Sequence, residues 1–281
     1  MNFSGYLNIL RLHQWLKNFT LFFPPFLGGA LLQPGMLSRG IVPFLAFSLV
    51  SSATYIFNDI MDLEHDKEHP TKCRRPLASG TIDKSHALIL MLALLLCGVL
   101  LGGQTSPRFL LFVLLYLLIS VLYSLELKHR PIADIFCITV GFVLRLYAGG
   151  DAFGVSVSAW LFLTVFLLAL FLSVGKRCSE SLSLGENAGK HRRALAAYPE
   201  GFLEGTMYLV GAAVLVTYSM YVINQPLLVY TVPLCMFGLL RYLFCVKSGK
   251  NGDPTQALLK DGPLLSIAIV WVLMVTWGVY R

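Results

Sequence analysis

Nine windows almost free of charged side chains recur along the chain, at about residues 19–33, 41–57, 87–107, 109–125, 135–150, 152–175, 205–223, 226–245 and 263–280. A segment crossing a bilayer must satisfy its own backbone amides, and an α-helix does so unaided. Composition agrees. With 56% hydrophobic and only 13% charged residues, the chain is too apolar to clothe a soluble domain. The expectation is an all-α integral membrane protein: nine transmembrane helices in one domain over residues 1–281. Several windows are shorter than the ~20 residues that span hydrocarbon, so those helices extend into polar flanks or sit in thinned bilayer.

Basic residues set the orientation. Seventeen of the 22 lysines and arginines fall on one set of alternate connections, and only Arg39, Arg108 and Arg281 fall on the other, with Arg145 and Arg241 inside windows. The positive-inside rule then places the N-terminus in the cytoplasm and the C-terminus outside, and the expected location is the plasma (inner) membrane. All the acids but Asp151 share the cytoplasmic side. Acids contribute little to orientation, so their collection there points to a site for a charged substrate. Residues 4–18 read as an amphipathic lead-in at the interface, with Leu7, Leu10, Trp15 and Leu16 toward lipid and Arg11, Gln14, Lys17 and Asn18 polar. No basic stretch precedes a short apolar run with a cleavage site, so the start is expected to be mature sequence. The six cysteines show no Cys-x-x-Cys spacing and are expected to be reduced.

The strongest chemical signal lies where the second window meets water. Asn58, Asp62 and Asp66 recur four residues apart, with Asp59 beside them, which on a helix makes one polar stripe. Hard oxygen ligands of this kind hold Mg²⁺ while a substrate phosphate completes its coordination. Arg74 and Arg75 follow in the same loop and suit phosphate oxygens. A second basic loop runs from Lys176 and Arg177 through Glu180, Lys190, His191, Arg192 and Arg193. Between these loops, Tyr123, Lys128 and Asp134 face the same side, and Asp134 opens an apolar helix. Arg145 lies about three turns into that helix. A charge so placed needs a partner, either a lipid phosphate or Asp151. Arg241 can snorkel toward the cytoplasm. His65 and His69 lack a zinc-binding pattern, and no nucleotide or serine-hydrolase motif is present.

Asn58-Asp59-x-x-Asp62-x-x-x-Asp66 with Arg75-Pro76-Leu77 and Ser79-Gly80 resembles the first aspartate-rich motif of the UbiA superfamily of intramembrane prenyltransferases. The resemblance covers essentially the whole chain and implies helices around a central cavity whose cytoplasmic end is capped by the polar motifs. Four further stretches resemble the decaprenyl-phosphate phosphoribosyltransferase branch: Arg11-x-His13-Gln14-Trp15-x-Lys17-Asn18, Tyr123-Ser124-Leu125-x-Leu127-Lys128, Gly141-Phe142-Val143-Leu144-Arg145 and Gly175-Lys176-Arg177-x-x-Glu180. His13 stands where that pattern has proline. Ordinary members carry a second aspartate-rich motif after the sixth helix, whereas this loop offers Lys176, Arg177 and Glu180.

The resemblance implies transfer of 5-phosphoribosyl from phosphoribosyl diphosphate (PRPP) to a polyprenyl phosphate, releasing diphosphate, as a step toward lipid-linked pentose precursors of cell-envelope polysaccharide. Mg²⁺ is the expected cofactor, held by Asn58, Asp59, Asp62 and Asp66, with the three carboxylates as the catalytic set. Substrate contacts are assigned to Lys17, Asn18, Arg74, Arg75, Tyr123, Lys128, Asp134, Arg145, Lys176, Arg177 and Glu180. Membrane lipid is a partner, nucleic acid is not, and a homo-oligomer stays open. The rival readings are transfer of a polyprenyl group from its diphosphate to an aromatic acceptor, and a non-enzymatic lipid-binding or transport protein.

Overall fold

The computed structural model describes residues 3–184, 193–249 and 252–281. Helix α1 (Phe3–Leu10) leads into a 3-10 segment, Leu12–Phe22, and then into α2 (Phe23–Leu27), α3 (Met36–Arg39), α4 (Ile41–Met61) and α5 (Leu63–Glu68). There follow α6 (Lys84–Thr105), α7 (Pro107–Leu125), α8 (Ala133–Phe153), α9 (Ala159–Leu184), α10 (Arg193–Ala196), α11 (Phe202–Val222), α12 (Val232–Lys247), α13 (Pro254–Lys260) and α14 (Gly262–Tyr280). Among the described residues 8 helices are long and apolar enough to cross a membrane. They correspond to eight of the nine expected windows, and the chain is an integral membrane protein.

The window at 19–33 differs. It holds the end of the 3-10 segment and the five-residue α2, not one continuous helix. Pro24 and Pro25 lie in the first turn of α2, where a missing amide hydrogen is tolerated and a helix begins afresh. Arg11, in the left-handed region at φ 51, separates α1 from the 3-10 segment.

The lead-in also turns its polar side inward. Gln14 and Asn18 are buried, and α4 presents serines to Asn18 and to Trp15 between them. Trp15 Nε1 donates to Ser52 Oγ at 2.9 Å, and Asn18 Nδ2 donates to Ser48 Oγ at 2.9 Å. An uncharged window therefore contains a polar stripe that a hydropathy average hides.

Burial ranks the helices. Within its apolar window α4 is 61% buried and α14 only 11%, so α4 stands centrally while α14 faces lipid. Small residues permit the closest crossings, as is usual between membrane helices. A Cβ on Gly149 of α8 would lie 2.0 Å from the Leu21 carbonyl oxygen, which locks the 3-10 segment onto α8. The bundle is also joined end to end: the Tyr280 hydroxyl of α14 donates to the Phe26 carbonyl at 2.9 Å and accepts from the Leu31 amide at 3.2 Å.

Candidate active site

The acidic stripe sits at the end of α4 and continues through α5. Backbone bonds from the Asp62 amide to Asn58 O and from the Asp66 amide to Asp62 O carry the helical path across the junction. The side chains divide into two groups. Asn58 Nδ2 donates to Asp62 Oδ2 at 3.0 Å, and Lys128 Nζ meets Asp62 Oδ1 at 2.5 Å. Asp59 Oδ1 accepts from Arg11 at 2.5 Å and Arg75 at 3.0 Å, while Arg75 also reaches Asp66 Oδ2 at 2.6 Å. Buried carboxylates are costly unless paired, and these cations provide the pairing. Burial nevertheless pushes the Asp66 carboxyl above its ordinary range, against Arg75 and Lys72.

This donor set suits a hard divalent cation. Asn58 Oδ1 is buried and has no hydrogen-bond partner. An amide oxygen left unsatisfied beside the Asp62 carboxylate, one residue before Asp59, is what an oxygen-ligated ion would complete. Among the described residues no three His, Cys, Asp or Glu side chains already converge at metal-binding distances, and His65 and His69 form no zinc cluster.

Across the same end of the bundle, Arg177 and Asp134 form a buried tie. Arg177 Nε meets Asp134 Oδ2 at 2.5 Å, Nη1 meets Glu180 at 2.8 Å, and Nη2 donates to the Tyr123 hydroxyl at 3.2 Å. Tyr198 donates to the second Asp134 oxygen at 2.8 Å and accepts from the Ile132 amide at 2.6 Å. Ile132 has φ 66, rare for a β-branched residue. The hydrogen bond from its amide to Tyr198 secures that turn, and α8 starts immediately after it. Sequence expectation gave Arg177, Glu180, Tyr123 and Asp134 substrate contacts; the structure binds them to one another.

A third group gathers around Lys17. Lys176 Nζ pairs with Asp253 Oδ2 at 2.9 Å. Lys17 lies deep in the protein yet keeps part of its surface accessible. Burial first, then repulsion from Lys176, pulls its ammonium down to about 7, with Arg145 and Arg11 adding to the effect and Asp253 opposing it. Burial works against ionisation of Asp253, but Lys176 and Lys17 outweigh it and hold that carboxyl at about 2.

Arg145 does not pair with Asp151. Its guanidinium donates to Asn18 Oδ1 at 2.7 Å, Gly141 O at 2.9 Å, the Tyr116 hydroxyl at 3.1 Å and Ser51 Oγ at 3.4 Å, and stacks 4.5 Å from the Tyr116 ring centroid. Asp151 instead accepts from Ser106. Neutral dipoles and aromatic faces solvate Arg145 and leave its charge uncancelled. Arg241 makes a bidentate pair with Asp261 at 2.9 and 2.8 Å. Arg74 is exposed. Lys190, His191 and Arg192 of the second basic loop lie outside the described residues. Sequence reasoning left Arg11, Tyr116, Tyr198 and Asp253 without a site role. Only Arg11 carried a signal, through its place in the N-terminal motif.

The UbiA prenyltransferase family model matches residues 21–260. The decaprenyl-phosphate phosphoribosyltransferase of Mycobacterium tuberculosis is 30% identical over 97% of this chain and 93% of its own length. That of Corynebacterium glutamicum is 29% identical over 99% and 87%. The solved structure of a UbiA homolog from Archaeoglobus fulgidus bound to GPP and Mg²⁺ superposes with a TM-score of 0.75, covering 98% of this chain and 99% of that one at 22% identity, a likeness of fold. With a family match across most of its length and relatives aligned nearly end to end, the chain belongs to the UbiA prenyltransferase family.

Proposed function

We propose that this protein transfers the 5-phosphoribosyl group of PRPP to a polyprenyl phosphate and releases diphosphate. The carrying observation is the asymmetry of the site. Asp59, Asp62 and Asp66 gather on one side with their paired bases, while Lys17, Lys176 and Arg145 outnumber Asp253 on the other. A prenyl diphosphate carries one charged group, whereas PRPP carries a diphosphate and a separate phosphate monoester. The names of the nearly full-length relatives support the same reading.

Asn58, Asp59, Asp62 and Asp66 would hold Mg²⁺. When bound, that ion neutralises charge developing on the leaving diphosphate. Arg75 and Lys128, already beside these carboxylates, complete the clamp on the diphosphate oxygens. An ionised oxygen of the lipid phosphate attacks the anomeric carbon as the bond from that carbon to the diphosphate oxygen breaks. The new bond joins ribose to the lipid phosphate, and the electron pair leaves with diphosphate. No proton need be removed from the nucleophile, so no general base is required. Alignment and fixed charge supply the acceleration. Attack opposite the leaving group inverts the anomeric configuration. Arg177, Asp134, Glu180 and Tyr123 support the wall behind Lys176 and keep its helix end in register.

The site faces the cytoplasm of the plasma membrane in this reading, and its product serves lipid-linked pentose synthesis for the cell envelope. Impermeant thiol labelling of introduced cysteines in intact cells tests the orientation; equal labelling of the 58–86 loop and the C-terminus refutes it. For the reaction, purified protein in lipid with Mg²⁺ is offered ribose-labelled PRPP with polyprenyl phosphate, beside prenyl-labelled diphosphate with an aromatic acceptor. Ribose label entering the lipid fraction together with diphosphate release is expected. Transfer only of prenyl label to the aromatic acceptor would establish the rival chemistry.

A further inference from the structure

We propose that Asp253 is a positioning residue of a second anion subsite, in which its carboxylate fixes Lys176 beside Lys17 so that the two lysines receive a phosphate monoester. The inference rests on the phosphoribosyl reading for the identity of that group. Asp253 comes from a part of the chain with no acidic motif, and its own contacts with those of Gly252 before it bring it to the site. Its Oδ1 caps α13, accepting from the amides of Thr255 at 3.1 Å and Gln256 at 3.3 Å, while Oδ2 pairs with Lys176 at 2.9 Å. The preceding Gly252 is pressed against α9 so closely that a Cβ would lie 2.0 Å from the Ser179 Cβ, and its carbonyl accepts from the Tyr242 hydroxyl at 2.9 Å. The carboxylate is thus anchored at the helix start and aimed at Lys176.

The charges around this point do not balance. With Lys17 protonated, Lys17, Arg145 and Lys176 contribute three positive charges and Asp253 one negative, and Arg11 is occupied by Asp59. The difference of two matches a phosphate monoester dianion, whose second ionisation lies near pH ~6. Lys17 makes no salt bridge among the described residues, so its ammonium is the open half of the pair. The charged and titratable groups that act on it are Arg11 and His13 on its own segment, Arg145 of α8, Lys176 of α9 and Asp253. Asp253 is the one acid among them. Its negative charge works against a bound phosphate, yet without it the lysines would repel each other and Lys17 would lose its proton more readily. A carboxylate beside an anion site therefore keeps its cations charged and separated.

The chemistry has two sources, the 5-phosphate of PRPP and the phosphate of the lipid acceptor. Full-length protein in lipid nanodiscs is assayed from pH 6 to 9 with each substrate varied in turn. Asp253→Asn and Asp253→Ser both retain a side chain that caps a helix, so α13 keeps its start while the charge is lost. Either variant should raise KM for one substrate by about tenfold or more, the order expected for a lost charge-assisted contact, with kcat little changed. The alkaline fall in activity should move to lower pH, and Asp253→Glu should restore part of both. A rise in KM for PRPP identifies the 5-phosphate; a rise for polyprenyl phosphate identifies the acceptor headgroup. Unchanged KM for both and an unmoved alkaline limb overturn the proposal. Stabilisation by inorganic phosphate, read as a thermal shift, provides a measure that needs no turnover: wild type should gain and Asp253→Asn should not. If wild type proves inert toward PRPP, the functional reading falls, while equal phosphate stabilisation of both proteins is what removes the subsite. If the Asp253 variants do not fold, Lys176→Gln must show the loss of phosphate stabilisation, and full retention there also overturns it.

Discussion

Replacing Arg177 by methionine should unfold the protein before it weakens substrate binding. The guanidinium is 1% exposed and its partner Asp134 is 0% exposed, at 2.5 Å. Removing one member of so buried a pair leaves the other charge without compensation, a cost of about 3–5 kcal/mol. Glu180 is 30% exposed and regains water when freed, so it adds little. Tyr198 still donates to Asp134, which keeps the penalty in that range and not above it. At about 2–4 °C per kcal/mol for a chain of this size, the midpoint should fall by roughly 6–20 °C. The assay is thermal unfolding in one fixed detergent and scan rate, read by fluorescence-detected size exclusion, because such unfolding is often irreversible. The double variant Arg177→Met with Asp134→Leu should recover most of the loss, since no buried charge is then left alone. A single variant with wild-type thermal stability and a tenfold higher KM for PRPP would refute this reasoning and return Arg177 to phosphate binding.

Asp62→Asn or Asp66→Asn should lose about a hundredfold or more in turnover, with unchanged elution from size exclusion, because each removes a carboxylate from the metal-binding set; rates near wild type in both would place the metal elsewhere. Gly149→Ala should cost about 3 kcal/mol or more, the upper range for overpacking, because the new Cβ would stand 2.0 Å from a backbone oxygen that cannot turn aside; a midpoint within a degree of wild type would sink it. The ammonium of Lys17 is held at about 7, below its ordinary 10.5, so between those values the unfolded chain binds more protons and substrate-free stability should rise with pH. Lys17→Met should flatten that rise in a pH series of melting midpoints, and an unaltered slope would contradict the assignment.

The helices were legible because hydrocarbon length and the absence of charge are properties of a local window. The first window failed for a local reason too: Pro24 and Pro25 restart a helix inside a stretch whose average is apolar. The acids of the site could be read from their spacing, but their partners could not. Asp59 takes Arg11 and Arg75, Asp62 takes Lys128, and Arg177 takes Asp134, each choice made by packing between distant segments. Arg145 was recognisable as an arginine within a span. Its solvation by Asn18, Gly141, Ser51 and Tyr116 was not, because neutral dipoles carry no charge pattern to search for. Asp253 was least visible of all, since an aspartate before proline reads as an ordinary helix start.

The bond from Tyr280 back to the Phe26 carbonyl has a bearing on when this protein becomes competent during synthesis. Segments near opposite ends of the chain meet there, and they meet again where Lys17 approaches Asp253. Chains emerge N-terminus first, so the acids of α4 enter the membrane long before α13 and α14 exist to complete the enclosure. A nascent chain therefore possesses half a site, with charged groups paired internally by Arg11 and Arg75. Those pairs act as a holding arrangement until the last span arrives, and a ribosome stalled before α13 should leave in the bilayer a folded but catalytically silent fragment.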